Sequence, residues 1–190
     1  ALGPLTNIAR VLKKNSGVTG SIEEIVLMGG GFFEGGNITP AAEFNIYVDP
    51  EAAKIVLDSG VKITMLPLDV THKTLVQREF LEKLRKSGKN SAREAAKLLD
   101  FFERYDVEKY GSQGGPLHDP NVIVYLLDPS IYKGKLVNVE IEVNSELTRG
   151  MTVVDWWSVT NRKPNAYYIN DVKDDKFFEV VLNKVLSLEI

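Results

Sequence analysis

The sequence contains no cysteine. Disulfides, thiolate zinc sites and cysteine nucleophiles are therefore excluded, and a reducing, cytoplasmic setting fits the composition. No apolar run approaches the ~20 residues needed to cross a bilayer, and no secretory leader pattern is present, so no membrane partner is expected. Basic runs are also missing. The 23 Lys and Arg residues are outnumbered by 26 Asp and Glu, giving a net charge of -3, which argues against nucleic acid as a partner. There is no HExxH, no Walker loop and no GxSxG nucleophile elbow, and Gly29-Gly30-Gly31 lacks the GxGxxG spacing of a dinucleotide site. Histidine is scarce: only His72 and His118 occur.

What is present is enough for one α/β body. The 190 residues are 44% hydrophobic, which suits a single domain with a sizeable core. Residues 22–28 read as a buried strand. Asp49-Pro50 marks a helix start, Asp as N-cap and Pro at N1, with the helix running to about Asp58 and stopping at Gly60. Residues 61–66 read as a second strand. Strand, helix, strand in this order is a βαβ unit and predicts a parallel pair. Residues 67–72 then form a loop at the carboxyl end of the second strand, the edge where open α/β sheets bind ligands. Thr6 or Asn7 can cap a helix over 8–14. Further helices are expected over 74–85, 92–105, 121–127 and 174–188, with β-rich runs at 137–143, 151–157 and 166–169. The fold class is α/β, a mostly parallel sheet flanked by helices.

Two segments carry candidate chemistry. The first is residues 35–45, GGNITPAAEFN, which follow the glycine run that ends the first strand. Asn37, Glu43 and Asn45 supply donors and acceptors close together, which is what an array of vicinal hydroxyls requires, so a sugar is the first ligand to consider. The second is His118-Asp119, behind the glycine-rich residues 111–116 and ahead of a helix. A helix N-terminus disfavours the imidazolium, so His118 would need a nearby carboxylate to act as a general acid at neutral pH. Asp119 beside Pro120 is also a plain N-cap, and a carboxylate with two oxygens can be both cap and metal ligand. His72 reads as structural, following a capping Thr71. No cluster of two or three carboxylates stands ready to complete a calcium cage.

These motifs resemble the inosine-uridine-preferring nucleoside hydrolases. The blocks that carry the resemblance are ALGPLTNIA at 1–9, the Met28-Gly-Gly turn, GNITPAAEFN at 36–45 with DPEAA at 49–53, PLHDP at 116–120 and, more weakly, LPLDVTH at 66–72. They occur in family order. The resemblance implies a calcium ion at the carboxyl edge of the sheet and hydrolysis of the N-glycosidic bond of ribonucleosides, in purine and pyrimidine salvage. By motif position Asp119 looks like a calcium carboxylate ligand and Thr6 like the residue whose main-chain carbonyl binds calcium. Asn37, Glu43 and Asn45 look like ribose-binding groups, Met28 and Phe44 like pocket walls. His118 resembles the histidine that protonates the leaving base, and Tyr110 lies where base-contacting side chains are found. The implied assembly is a homodimer or homotetramer.

One departure is large. The DxDxxxDD motif of family members, which binds calcium and supplies the general base, is absent from residues 1–190. The chain also opens on apolar residues, Ala1-Leu2-Gly3-Pro4-Leu5, resembling the end of a buried element. Removal of an initiator Met or a tag remnant is the plainer account. The expectation is that residues 1–190 are one α/β domain forming the C-terminal portion of a larger nucleoside hydrolase domain, inactive alone and completed by an N-terminal segment of the same protein. The alternative is a non-catalytic relative that binds a sugar or nucleoside.

Overall fold

A computed structural model describes the backbone of residues 1–110 and 114–188, with side chains for all of these except residues 16 and 103–110. The chain falls into two compact units. The first comprises Ala1–Val70 with Tyr132–Asp171, the second Thr71–Ile131 with Val172–Ile190.

The first unit is built on the βαβ element anticipated from the sequence. Strand β1 is Ile25–Met28 and β2 is Ile63–Leu66, paired in parallel with Ile25 opposite Ile63 and Met28 opposite Leu66. Both are buried at every position, as strands covered on both faces must be. Between them run α2 (Phe44–Val48) and α3 (Pro50–Leu57), after α1 (Thr6–Lys14) at the start of the chain. Asp49 caps α3 as its sequence signature requires, accepting from Ala52 N at 3.0 Å with Pro50 in the first turn. The four-stranded sheet is completed by β6 (Ala166–Val172), parallel to β2, and at the far edge by β3 (Tyr132–Val137). Bonds flanking the last pair, Asn165 N to Val137 O at 3.0 Å and Lys173 N to Ile131 O at 2.9 Å, run in opposite order along the two strands, so β3 is antiparallel. The sheet is mixed and mostly parallel, with helices packed on it, as the sequence predicts. A separate hairpin pairs β4 (Val139–Ile141) with β5 (Thr152–Val154).

Boundaries differ from the sequence reading in physically explicable places. Residues 67–72, expected as a loop, include the helical turn α4 (Leu68–Thr71), begun by a Pro-Leu-Asp sequence suited to a helix start. Residues 74–76 stay extended because Val76 N bonds Gly115 O and Leu117 N bonds Thr74 O, each at 3.0 Å, so α5 begins only at Arg78 (Arg78–Lys86). The run at 137–143 is broken into β3 and β4 at Asn138. Helix α6 is longer than expected (Asn90–Tyr110), while α7 (Pro120–Leu127) and α8 (Asp174–Ser187) lie close to their predicted bounds. On the outer side of β1, Met28 N bonds Ala1 O at 3.0 Å and the chain's amino group bonds Val26 O at 2.6 Å.

The core of the first unit gathers Leu27, Ile46, Val56, Ile63, Met65, Val139 and Tyr168, among others. Phe80, Leu84, Ala92, Ala96 and Phe177 are the matching buried residues of the second, with Phe80 and Phe178 rings 4.9 Å apart. Ile63 is 2% exposed. Ile63→Ala should destabilise the protein by about 2–5 kcal/mol, the usual sum of lost transfer energy and residual cavity, read from chemical denaturation. A loss under about 1 kcal/mol would show that β2 does not anchor this core.

Candidate functional site

In the first unit the candidate residues converge on the turn that ends β1. Gly30 has φ +84, and a Cβ there would stand 2.7 Å from Thr152 Oγ1, so both conformation and space demand glycine. Its carbonyl accepts from Leu68 N at 2.9 Å and its N–H donates to Glu43 Oε2 at 3.0 Å. Glu43 is 2% exposed and sits at the N-cap of α2. Its Oε1 accepts from Asn45 N at 2.9 Å and its Oε2 also from Ile46 N at 3.3 Å. Two backbone amides in the first turn of α2 and the amide of Gly30 thus compensate a buried carboxylate. Asn45, also buried, donates through Nδ2 to Met28 O at 3.1 Å and to Met28 Sδ at 3.4 Å. Its Oδ1 accepts no hydrogen bond among the described residues. Asn37 Oδ1 accepts from Phe44 N at 2.9 Å, fixing the far end of the loop. Met28, Asn37, Glu43 and Asn45 are therefore brought together. The Phe44 side chain is about half exposed, at 49%.

Thr6 opens α1, and its hydroxyl donates to Asp49 Oδ2, which ties the first helix to the cap of α3. Its main-chain carbonyl lies in the first turn of α1.

In the second unit, His118 and Asp119 stand ahead of α7. His118 Nδ1 lies 2.8 Å from Thr71 Oγ1, and the His72 and His118 ring centroids are 5.7 Å apart. Burial first, and then the neighbouring His72, lower the His118 pKa from 6.5 to about 4. The ring is neutral at pH 7. The Thr71 hydroxyl and Nδ1 share this hydrogen bond, and in the tautomer where the hydroxyl donates, Nε2 carries the ring proton and is a hydrogen-bond donor. Among the described residues no carboxylate holds this histidine protonated, in contrast to the requirement posed by the sequence for a charged acid. The segment is braced by Asn121, fully buried, whose Nδ2 donates to Thr74 Oγ1 at 2.8 Å and to Leu117 O at 2.5 Å.

Asp119 occupies the N-cap position of α7, but its side chain makes no capping hydrogen bond and its backbone is already helical, at φ -64 and ψ -37. The capping reading therefore does not use this carboxylate. Partial burial raises its pKa, the setting in which a bound cation would restore the ionised form. Among the described residues no group of three or more Asp, Glu or His side chains could hold a metal ion. Asp119 fits as one ligand of a cation, and the described residues do not make a cage by themselves. The Tyr110 side chain lies outside the described residues.

Sequence reasoning missed Asp69 and Tyr168. Asp69, 4% exposed at the start of α4, accepts from Phe32 N at 3.0 Å, from Glu34 N at 2.7 Å and from the Tyr168 hydroxyl of β6. The tyrosine's pKa is driven well above its usual value by burial and then by the Asp69 charge and hydrogen bond. The one available signal was an acidic residue in the weak block at 66–72, which alone does not say what it touches.

The sequence profile of inosine-uridine preferring nucleoside hydrolases matches residues 1–179. The pyrimidine-specific ribonucleoside hydrolase RihA of Photobacterium profundum is 46% identical over 186 residues, covering 97% of this chain and 60% of that protein. Among solved structures, a purine-preferring ribonucleoside hydrolase from Gardnerella vaginalis superposes with a TM-score of 0.88 at 30% identity, over 97% of this chain and 58% of the other. A plant nucleoside hydrolase, PpNRh1, gives a TM-score of 0.90 at 26% identity, over 98% of this chain and 60% of the other. The chain thus spans about three fifths of the length of the relatives it matches.

The His118 environment sets a pH dependence of stability. Its folded pKa lies below the unfolded value, so between pH 6.5 and about 4 the unfolded chain binds the extra proton. Stability should fall as pH drops through that window, by about 3 kcal/mol from this residue, and level off below it. Melting temperatures from pH 7.5 to 4 should decline less steeply for His118→Gln than for the wild type. Identical slopes would mean that His118 is not held neutral by its surroundings.

Proposed function

Because the chain belongs to the inosine-uridine preferring nucleoside hydrolase family, we propose that it forms part of an enzyme that hydrolyses the N-glycosidic bond of ribonucleosides. The observation that carries this reading is the arrangement at the end of β1. Two buried polar side chains, Glu43 and Asn45, are locked to the Gly30 turn and Met28, and Asn45 Oδ1 keeps an open acceptor. Such a group suits sugar hydroxyls, which need a preorganised acceptor beside donors. The RihA relative and the two solved neighbours, named as nucleoside or ribonucleoside hydrolases, support the same reaction class.

In the proposed reaction the bond between the anomeric carbon and the base nitrogen breaks, and water adds to that carbon. The hydroxyl stays on ribose and the remaining proton of the water is balanced on the base. Asn37, Glu43 and Asn45 hold the sugar, with Met28 and Phe44 as walls, so that sugar binding energy aligns the reacting carbon. His118, neutral and in the tautomer that takes the Thr71 hydroxyl on Nδ1, hydrogen-bonds the departing base through Nε2 and stabilises the negative charge developing there. Burial favours this role over that of a standing imidazolium, and any proton it gives up must be replaced within the same step. Asp119, and through its carbonyl Thr6, are the proposed contacts of a calcium ion. That ion would supply polarisation of the attacking water.

The test is release of ribose from inosine and uridine by the intact protein, with wild type and His118→Ala compared. The variant should lose about 10²-fold on nucleosides whose base leaves poorly and much less on a ribosyl substrate with an activated leaving group. Equal losses on both would remove His118 from leaving-group chemistry. Nucleoside binding by the intact protein without any turnover, with or without calcium, would instead mark a non-catalytic binder.

A further inference from the structure

Residues 31–36 lie between the Gly30 turn and Asn37, and they form neither helix nor strand. Their path is tight: a Cβ on Gly31 would fall 2.1 Å from Gly35 O, and one on Gly36 would fall 2.2 Å from Thr39 O. Something must hold a segment that folds so closely on itself. Downstream, Asn37 N bonds Ala42 O at 3.2 Å and Asn37 Oδ1 receives Phe44 N. Upstream, the only side chain seen to accept from amides of residues 31–36 among the described residues is that of Asp69, which takes Phe32 N on Oδ2 and Glu34 N on Oδ1.

Asp69 is itself fixed. It stands in the first turn of α4, and the chain just before it is zipped to β1's end by Leu68 N to Gly30 O at 2.9 Å. Its Oδ2 also receives the hydroxyl of Tyr168, a side chain with no exposure, projecting from β6. Three strands are thereby referenced to one carboxylate: β1 through the loop it feeds, β2 through α4, and β6 through Tyr168. A carboxylate is the fitting group here, since only an acceptor with two oxygens can take three converging donors without placing a hydrogen against one of them. The Trp156 ring borders the same assembly, 5.4 Å from Phe33 and 6.3 Å from Tyr168.

We infer that Asp69, backed by Tyr168, is a positioning residue that sets the path of residues 31–36 and so delivers Asn37 to the sugar. The inference rests on the reading of Asn37, Glu43 and Asn45 as the ribose site. Asp69 touches no reacting atom, so its effect falls on sugar binding rather than on the chemical step. An Asp69→Asn side chain would turn an NH2 toward Phe32 N–H or Glu34 N–H and release one end of the loop. Tyr168→Phe leaves the carboxylate in place but removes its brace.

Hydrolysis kinetics with a ribonucleoside, together with amide hydrogen exchange at Phe32 and Glu34, test this in the intact protein. Asp69→Asn should raise KM about tenfold with kcat within about threefold, the pattern of lost uniform binding. Tyr168→Phe should move KM the same way by less, and the double variant should be no worse than Asp69→Asn, because both act through one contact. Exchange at Phe32 and Glu34 should quicken in each. Ile63→Ala serves as the control for simple destabilisation and should leave KM unchanged. A wild-type KM in Asp69→Asn, with stability lowered as in Ile63→Ala, would reduce Asp69 to a structural residue and overturn the inference. If the wild type hydrolyses no ribonucleoside, the functional reading fails separately, and unchanged exchange at Phe32 and Glu34 in Asp69→Asn would overturn the loop assignment by itself.

Discussion

The Glu43 carboxylate is the contact on which the candidate site depends. A charge at 2% exposure is tolerable only if its surroundings replace the lost water, and the backbone amides of Gly30, Asn45 and Ile46 do so. Those amides serve two tasks. Gly30 is the left-handed turn that lets the chain leave β1. Asn45 and Ile46 are the first turn of α2, whose exposed N–H groups need an acceptor. One side chain therefore fixes the exit of a strand to the start of a helix, and Asn45 is carried between them with its amide already committed to Met28. Preorganisation of this kind lowers the ordering cost of binding a ligand.

The second unit solves a different electrostatic problem. His118 and Asp119 are adjacent in sequence, yet burial moves both away from their charged forms, the histidine downward and the aspartate upward in pKa. The imidazole shares a hydrogen bond with the Thr71 hydroxyl, and the Asp119 carboxylate makes no capping bond to its own helix. The Thr71, Thr74 and Asn121 hydrogen bonds hold this short segment, so its geometry does not rest on α7 alone.

Much of the fold was legible because it is written in local physics. Asp49-Pro50 signals a helix start wherever it occurs, and the apolar stretches around β1 and β2 flank it at the spacing of a βαβ unit. The ordered motifs located Asn37, Glu43, Asn45, His118 and Asp119 on turns and helix starts. What stayed hidden depends on contacts distant in sequence. Asp69 meets Tyr168 across 99 positions and Glu34 across 35, and no periodicity records either. The division of residues 74–77 from α5 follows from pairing with 115–117, which local propensity would have overridden in favour of a longer helix. The side chain of Asp119 departs from its cap signature for a local reason: the backbone there is already helical, and the side chain accepts none of the amides of the first turn of α7.

The central claim, that the polar groups around the Gly30 turn receive a ribose, is tested most directly by a crystal structure of the intact protein with a non-hydrolysable ribonucleoside analogue. The account predicts sugar hydroxyls within hydrogen-bonding distance of Asn45 Oδ1 and of the Glu43 and Asn37 side chains, with the Gly30 turn unmoved. An analogue bound with its sugar away from Asn45, or bound only after Glu43 releases the Gly30 amide, would contradict it.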